Sequence, residues 1–166
     1  QDYMIQKDSK LTLGGITIGI GINSVDYYKK TQYGATYETD ISNAQVKAQG
    51  RKIANEVLSR LRKKSALKNV PIVIALYKQA SNDSLVGGNF FSYSVNKNES
   101  TSVSSWKSIN QKSYVFPLSD SQSSPNTNDT TSFTNFKSQV EDFFPNLSGV
   151  TAQAQYTDKQ LDGMNI

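Results

Sequence analysis

The stretch LTLGGITIGIGIN, residues 11–23, decides the fold. Its isoleucines recur at every second position from Ile16 to Ile22. Alternate residues of a β-strand share a face, so this period predicts a strand with an isoleucine ridge buried in a core. The opposite face is nearly bare and carries Gly15, Thr17, Gly19 and Gly21. Glycine in a strand often marks the close approach of another backbone, so we expect a helix on the bare face, with a ligand groove as the alternative.

The composition limits the kinds of reaction and metal site that the chain can support. The chain has 166 residues, a formal net charge of +4, and neither cysteine nor histidine. The missing cysteines exclude disulfides and thiolate chemistry, and the missing histidines remove the usual general base and zinc ligand. The length fits one domain, residues 1–166, and we expect no cofactor and no metal.

A helix is predicted from Ser42 to Lys64. Ser42 and Gln45 match a capping box, in which a hydroxyl and an amide satisfy free backbone N–H groups. Apolar or small residues follow at helical spacing: Val46, Gly50, Ile53, Ala54, Val57, Leu58 and Leu61. The basic residues at 60–64 should complement the helix dipole.

The second strong strand covers residues 69–77. Its apolar run is nearly continuous, which predicts burial on both faces. Strand, helix and strand in this order form a β-α-β unit, whose strands should be parallel with a right-handed crossover.

The second half of the chain has a weaker pattern. Residues 89–95 and 106–116 predict a meander or a hairpin with a long loop, and residues 149–156 predict a last strand. A shorter helix should begin at Thr131 or Ser132 and end at Pro145. The fold class is therefore predicted as α/β, with α+β as the alternative: a mixed sheet with one long and one shorter helix packed on it.

One cluster of aromatic residues is a candidate ligand rim: Tyr27, Tyr28, Tyr33 and Tyr37. A tyrosine has an apolar ring and a polar tip, which suits the rim of a groove. The same property suits any half-exposed position, so the edge of a core is the more common interpretation.

Catalytic motifs are weak. The glycines lie inside a strand and not at a helix N-terminus, so they do not match a phosphate loop. The basic residues at 60–64 lack interleaved aromatic residues, which argues against nucleic-acid binding. A carboxylate pair could serve a carbohydrate- or peptidoglycan-directed hydrolase. The candidate acids are Asp26, Glu38, Asp40, Asp83, Glu141, Asp142, Asp158 and Asp162. We expect no catalytic residues and no enzyme, with this hydrolase as the alternative and an oligomerising module that uses exposed sheet edges as a third hypothesis.

Several long strings resemble the CamS family of Gram-positive lipoproteins. They are LGGITIGI at 13–20, NSVDYY at 23–28, YGATYE at 33–38, QGRKIANE at 49–56, VPIVIALYKQA at 70–80 and GNF at 88–90. The resemblance is strong over the first half of the chain and looser beyond it.

The resemblance implies an extracytoplasmic lipoprotein domain of a sex pheromone precursor. In that family a lipid on an N-terminal Cys anchors the protein to the cell membrane, and the pheromone is a peptide released from the signal sequence. Both segments would lie outside this chain, which would then be part of a longer lipoprotein. The implied partners are the membrane, through that anchor, and a cell-envelope ligand or protein. The family supplies no catalytic residues.

Overall fold

The structure is a computed structural model that describes residues 1–144, 146 and 149–166. The chain forms two compact units, each made of two segments. The first unit combines Gln1–Ser81 with Phe90–Ile109, and the second combines Asn82–Asn89 with Asn110–Ile166. The prediction of one domain stays a prediction, because two compact units can still unfold together.

The elements of the first half of the chain run in this order: β1 (Asp2–Lys7), β2 (Lys10–Ile22), β3 (Val25–Lys29), β4 (Thr36–Asp40), α1 (Asn43–Arg62), a 3₁₀ turn (Ser65–Leu67), β5 (Ile72–Gln79), β6 (Gly88–Asn96) and β7 (Lys107–Ser108). The second half contributes β8 (Gln111–Phe116), α2 (Thr127–Phe143), β9 (Ala152–Thr157) and β10 (Gln160–Asn165). Neither helix in the described part of the chain is long and apolar enough to cross a membrane.

The β-α-β unit is confirmed. β2 and β5 pair in parallel, from Ile16 opposite Ile72 to Ile22 opposite Lys78. The connecting helix α1 begins with the predicted capping box, in which Gln45 N donates to Ser42 Oγ and Ser42 N donates to Gln45 Oε1. The α/β class is therefore confirmed, with a mixed five-stranded sheet in the order β1-β2-β5-β6-β7.

The helix covers the isoleucine face of β2, so the prediction that it lies on the glycine face was wrong. Ala54 and Leu58 of α1 pack into one buried cluster with Ile20, Ile72, Ile74 and Leu76. A Cβ on Gly50 would collide with the side chain of Ile22. Gly50 does bring the helix close to the sheet, but the apolar area lies on the isoleucine side, and burying that area is what stabilises the packing.

The second prediction that fails is burial of β5 on both faces. Ile72, Ile74 and Leu76 face the helix with no exposed area, whereas the alternate residues Val73 and Tyr77 are only half-buried. An apolar run therefore does not require cover on both sides, because aliphatic and tyrosine side chains are tolerated at partial exposure.

A buried arginine completes the first unit. Arg62, in the last turn of α1, is 6% exposed. Its guanidinium donates to the carbonyl oxygens of Leu67, Val70, Asn96 and Ser100. Arg62 was predicted to complement the helix dipole with its neighbours; it also ties the helix end to three later segments of the chain.

The second unit has its own sheet, ordered β10-β9-β8, and its own core. Phe133 of α2 packs on Phe116 with ring centroids 5.3 Å apart. The predicted pairing of residues 89–95 with 106–116 is confirmed at its start, where β6 and β7 pair antiparallel, whereas β8 leaves that sheet and pairs with β9. That register places Phe116 opposite the small Ala152, where the ring can be buried.

Helix α2 starts earlier than Thr131. Asn126 is the N-cap, and its side chain accepts from Asn128 N at 2.9 Å. The first turn carries no apolar period, which is why the start was misplaced. The predicted stop at Pro145 lies outside the described residues.

Candidate functional site

The predicted tyrosine rim lies on a two-stranded ribbon of β3 and β4, residues 25–40, which we call the tyrosine ribbon. Tyr28 pairs with Tyr37 across the strands, and their rings stack at 5.7 Å between centroids. Tyr27 is the next residue on β3, so it faces the opposite side of the ribbon. Tyr33 lies in the turn and is 93% exposed. The structure thus brings Tyr28 and Tyr37 together and separates the other two, and the ligand rim stays a prediction.

A cation sits against this stack. Lys30 Nζ lies 4.5 Å from the centroid of the Tyr37 ring, within the range of a cation–π contact. Tyr28 and Tyr37 are 41% and 42% exposed. An isolated two-stranded ribbon is only marginally stable in water, so two large exposed rings at its centre can serve either its stability or the stacking of a ligand.

The glycine face of β2 is exposed to solvent. Thr17, Gly19 and Gly21 are all exposed. The Phe90 ring borders the strip, because a Cβ on Gly19 would lie 3.9 Å from Phe90 Cε1. Phe90 also meets Tyr77 edge to face at 5.0 Å. The groove that was the alternative interpretation of the glycines therefore exists as a shallow surface beside aromatic rings.

A third surface lies wholly in the second unit, and we call it the polar cleft. It encloses about 240 Å³, and the lining residues that matter here are Lys112, Tyr114, Ser123, Ser124, Tyr156 and Lys159. Lys112 of β8 is paired with Tyr156 of β9, so the two side chains share a face of the sheet. Lys159 lies in the turn between β9 and β10.

Two buried polar atoms beside this cleft make no hydrogen bond of standard geometry among the described residues. They are Tyr156 Oη and Asp129 Oδ2. The Tyr156 residue is 1% exposed and packs in the core of the second unit. A poorly formed hydrogen bond at a buried group is unusual in a native fold, where buried polar groups are almost always well paired.

The two groups influence each other. Burial, followed by the negative charge of Asp129 and a hydrogen bond to its carboxylate, raises the pKa of the Tyr156 hydroxyl from 10.0 to about 12. Tyr156 is therefore a neutral donor at physiological pH, and it lies close to an acceptor without making a hydrogen bond of standard geometry.

The acids considered for hydrolysis are spread over several elements of both units. Asp26 and Glu38 are on the tyrosine ribbon, where Asp26 pairs with Thr39 and Glu38 with Tyr27, so they face opposite sides. Glu141 is paired with Lys137 at 2.7 Å, and Asp162 accepts from Thr157 at 2.7 Å. In the described part of the chain, no three acids come together as a metal site.

Sequence reasoning missed the polar cleft because its residues come from 112 to 159 and share no local pattern. One signal was present: Tyr156 occupies the inward position of a strand whose other inward residues are Ala152 and Ala154. A tyrosine at such a position places a hydroxyl in a core, and a buried hydroxyl requires a partner.

The fold defines an α/β protein of two units, in each of which one helix packs on the sheet of that unit. A family model described as the CamS sex pheromone cAM373 precursor matches residues 1–166. The chain therefore belongs to the CamS family, as its resemblance predicted. No curated protein sequence matches it.

Solved structures of sex pheromone precursors are similar to this chain. A sex pheromone precursor from Lactobacillus salivarius subsp. salivarius is 53% identical with a TM-score of 0.88, and the match covers 98% of this chain and 47% of that one. The C-terminal domain of the sex pheromone staph-cAM373 precursor from Staphylococcus aureus is 32% identical with a TM-score of 0.80, covering 92% and 45%. The chain thus spans about half the length of the solved chains that it matches.

Proposed function

We propose that this chain is an extracytoplasmic part of a lipid-anchored sex pheromone precursor of a Gram-positive cell, and that it binds an envelope component without catalysing a reaction. Membership of the CamS family supports the precursor role. The lipid anchor, the membrane location and the absence of catalysis are expectations that follow from the resemblance, and each needs its own test.

The observation that carries the binding role is the stacked pair of Tyr28 and Tyr37 on the tyrosine ribbon. Two exposed rings beside Lys30 form an apolar surface with a polar border. Exposed aromatic faces of this kind bind flat apolar surfaces such as those of sugar rings, with little loss of side-chain entropy because a tyrosine has few rotatable bonds.

Location is tested with the full gene and its natural upstream region in a Gram-positive host. We expect palmitate to be incorporated, the protein to fractionate with membranes, and protease added to intact cells to degrade it. Recovery in the cytosol, unlabelled and protected, would contradict the proposal.

Binding is tested by sedimentation of the purified protein with peptidoglycan sacculi that still carry their attached cell-wall polymers. We expect Tyr28→Ala combined with Tyr37→Ala to lose binding. Tyr3→Ala, which removes a ring that is 67% exposed on β1, is the matched control and should retain binding. Release of soluble sugar fragments by the wild type would support the hydrolase alternative and contradict the proposal.

A further inference from the structure

The edge of β2 that faces β1 is open along its last residues. Gln1 N donates to the Thr17 carbonyl at 2.8 Å, and Thr17 N donates to the Gln1 carbonyl at 2.7 Å. Beyond Thr17, no strand of the described residues lies on this side of β2, whereas on the other side β5 stays paired as far as Ile22. Residues 18–22 therefore have one paired edge and one free edge.

The backbone groups of Gly19 and Gly21 point toward this free edge. In a paired strand, the N–H and C=O groups of successive residues point to alternate sides. Ile16 N donates toward β5, to the Pro71 carbonyl at 3.0 Å, whereas Thr17 bonds on the β1 side. Gly19 and Gly21 share the orientation of Thr17, and both are exposed. A row of such groups can pair with one more strand and not with a helix.

An apolar groove lies beside the same edge, between β2 and α1, and we call it the edge groove. It encloses about 240 Å³, and the lining residues that matter here are Ile22, Ile41, Val46 and Ile53. Ile53 is 38% exposed. Directly opposed residues of paired strands share a face of the sheet. A strand added at the free edge would therefore turn every second side chain toward the helix side, where the edge groove lies.

The antiparallel pairing of β1 with β2 determines which segment would reach this edge. β1 runs from Lys7 opposite Lys10 to Gln1 opposite Thr17, so each earlier residue of a longer chain would lie one position further along β2. The solved chains that match are about twice as long as this one, since the match covers 47% and 45% of them. This inference rests on the proposed function, in which an N-terminal anchor places further residues before Gln1.

We propose that the residues immediately before Gln1 in the longer protein continue β1 along β2 as far as Ile22, and that every second side chain of this segment fills the edge groove. The backbone groups of Gly19 and Gly21 then pair with the second and the fourth residue before Gln1. The first, third and fifth residues before Gln1 face the helix, so they should be apolar.

The test joins the two strands through engineered cysteines, since this chain has none of its own. Gly21→Cys is combined with a Cys at the fourth residue before Gln1, because Gly21 lies four positions beyond Thr17. A Cβ on Gly21 makes only ordinary contacts, the nearest at 3.8 Å. Opposed residues that exchange both hydrogen bonds have Cα atoms about 5.5 Å apart, a separation that suits a disulfide. The control moves the second Cys to the fifth residue before Gln1, whose side chain points to the helix side.

The protein used is the full-length chain without its signal sequence and with natural Cys residues replaced by Ser, oxidised in air and mapped by mass spectrometry without reduction. We expect an intramolecular disulfide in the first variant, at least about tenfold more abundant than in the control. Equal amounts in the two variants, or no disulfide in the first, would overturn the proposal. Disulfide-linked dimers of the first variant would overturn it too, because a second copy would then occupy the edge. Membrane location and binding to sacculi do not depend on this pairing, so the proposed function can stand where this inference fails.

Hydrogen exchange measured by nuclear magnetic resonance tests the same segment of the full-length protein without a crosslink. The amide of Gly21 should exchange as slowly as that of Thr17, which is hydrogen-bonded. Ile53→Asp places a charge in the edge groove and should speed exchange at Gly21 by about tenfold or more, whereas Lys52→Asp, an exposed change on the same helix, should not. The amide of the buried Ile74 should keep its protection in both variants, which shows that they are folded. Fast exchange at Gly21 in the wild type, or an unchanged rate in Ile53→Asp, would overturn the proposal.

Discussion

Arg62 in the first unit and Tyr156 in the second are buried polar side chains whose hydrogen bonds differ in number and quality. In the first unit, the charged side chain of Arg62 is buried, and its guanidinium donates to four backbone carbonyls. In the second unit, the buried Tyr156 hydroxyl lies against the Asp129 carboxylate, and the hydrogen bond between them falls outside standard geometry. A buried group with well-formed hydrogen bonds stabilises a fold, whereas a poorly bonded one destabilises it. The difference teaches that Arg62 stabilises the first unit through its polar end, whereas Tyr156 stabilises the second unit mainly through its ring.

The hydrophobic cores of the two units also differ in the side chains that form them. The core of the first unit is aliphatic, and Ala54, Leu58 and Ile74 have no exposed area. The core of the second unit combines aromatic rings with alanines, and one of those rings carries the hydroxyl that lies against Asp129. We therefore expect the stability of the protein to depend most on the first unit.

The largest effect should follow removal of the buried arginine. Arg62→Met keeps a long apolar side chain but leaves four carbonyls without their charged donor, so we expect a loss of about 3 kcal/mol in the free energy of unfolding. Urea unfolding measures it. Arg60→Met, an exposed neighbour, should change stability by less than about 0.5 kcal/mol. Equal effects of the two substitutions on the free energy of unfolding would contradict the stabilising role of the four hydrogen bonds of Arg62.

The next effect is a dependence on alkaline pH. The pKa of Tyr156 is raised from 10.0 to about 12 in the folded protein, so between these values the folded state holds a proton that the unfolded state has lost. Its contribution to stability is complete below pH 10.0 and disappears as the pH rises through about 12.

Ultraviolet titration of the tyrosinates resolves this group. Of the nine tyrosines, we expect one to ionise last, near the pKa of about 12, and to be missing in Tyr156→Phe. If one tyrosine of the Tyr156→Phe variant still ionised near a pH of about 12, another tyrosine would be responsible for this step. The raised pKa could then not be assigned to Tyr156 beside Asp129.

The smallest effect concerns the bare face of β2. A Cβ on Gly19 would make only an ordinary contact, 3.9 Å from Phe90 Cε1, so Gly19→Ala should stabilise the protein by about 0.5–1 kcal/mol. Gly50→Ala is the matched change on the covered face, where the new Cβ would collide with Ile22, and it should be the less stable of the two in thermal unfolding. If Gly19→Ala proved the less stable of the two variants, the result would contradict the packing of α1 on the isoleucine face of β2.

The sequence predicted the β-α-β unit well because its signals are local. The isoleucine period of β2, the capping box at Ser42 and the apolar run of β5 each specify one element. The face that α1 covers was predicted wrongly because the glycines were given more weight than the apolar area opposite them. Packing is decided by the area removed from water, and that area lies on the isoleucine side.

The second half was predicted less well for a different reason. The residues before Phe133 are mostly Ser, Asn, Asp and Thr, which carry no apolar period, so the start of α2 at Thr127 was missed. The polar cleft requires β8, the loop before α2 and the β9–β10 turn to meet. Such long-range contacts leave no spacing in the sequence, although the tyrosine among the inward alanines of β9 was a usable sign.

The measurement that tests the central claim most directly is the free energy of unfolding of Tyr156→Phe without ligand. If the bond from the hydroxyl to Asp129 is as poorly formed as its geometry indicates, removal of the hydroxyl should leave stability unchanged or raise it by about 1 kcal/mol. Ser92→Ala is the reference, since its buried hydroxyl donates to the Lys107 carbonyl at 2.9 Å and its loss should cost about 1 kcal/mol. A loss of about 1 kcal/mol or more in Tyr156→Phe would mean that the hydroxyl makes a well-formed hydrogen bond to Asp129, and would contradict the account.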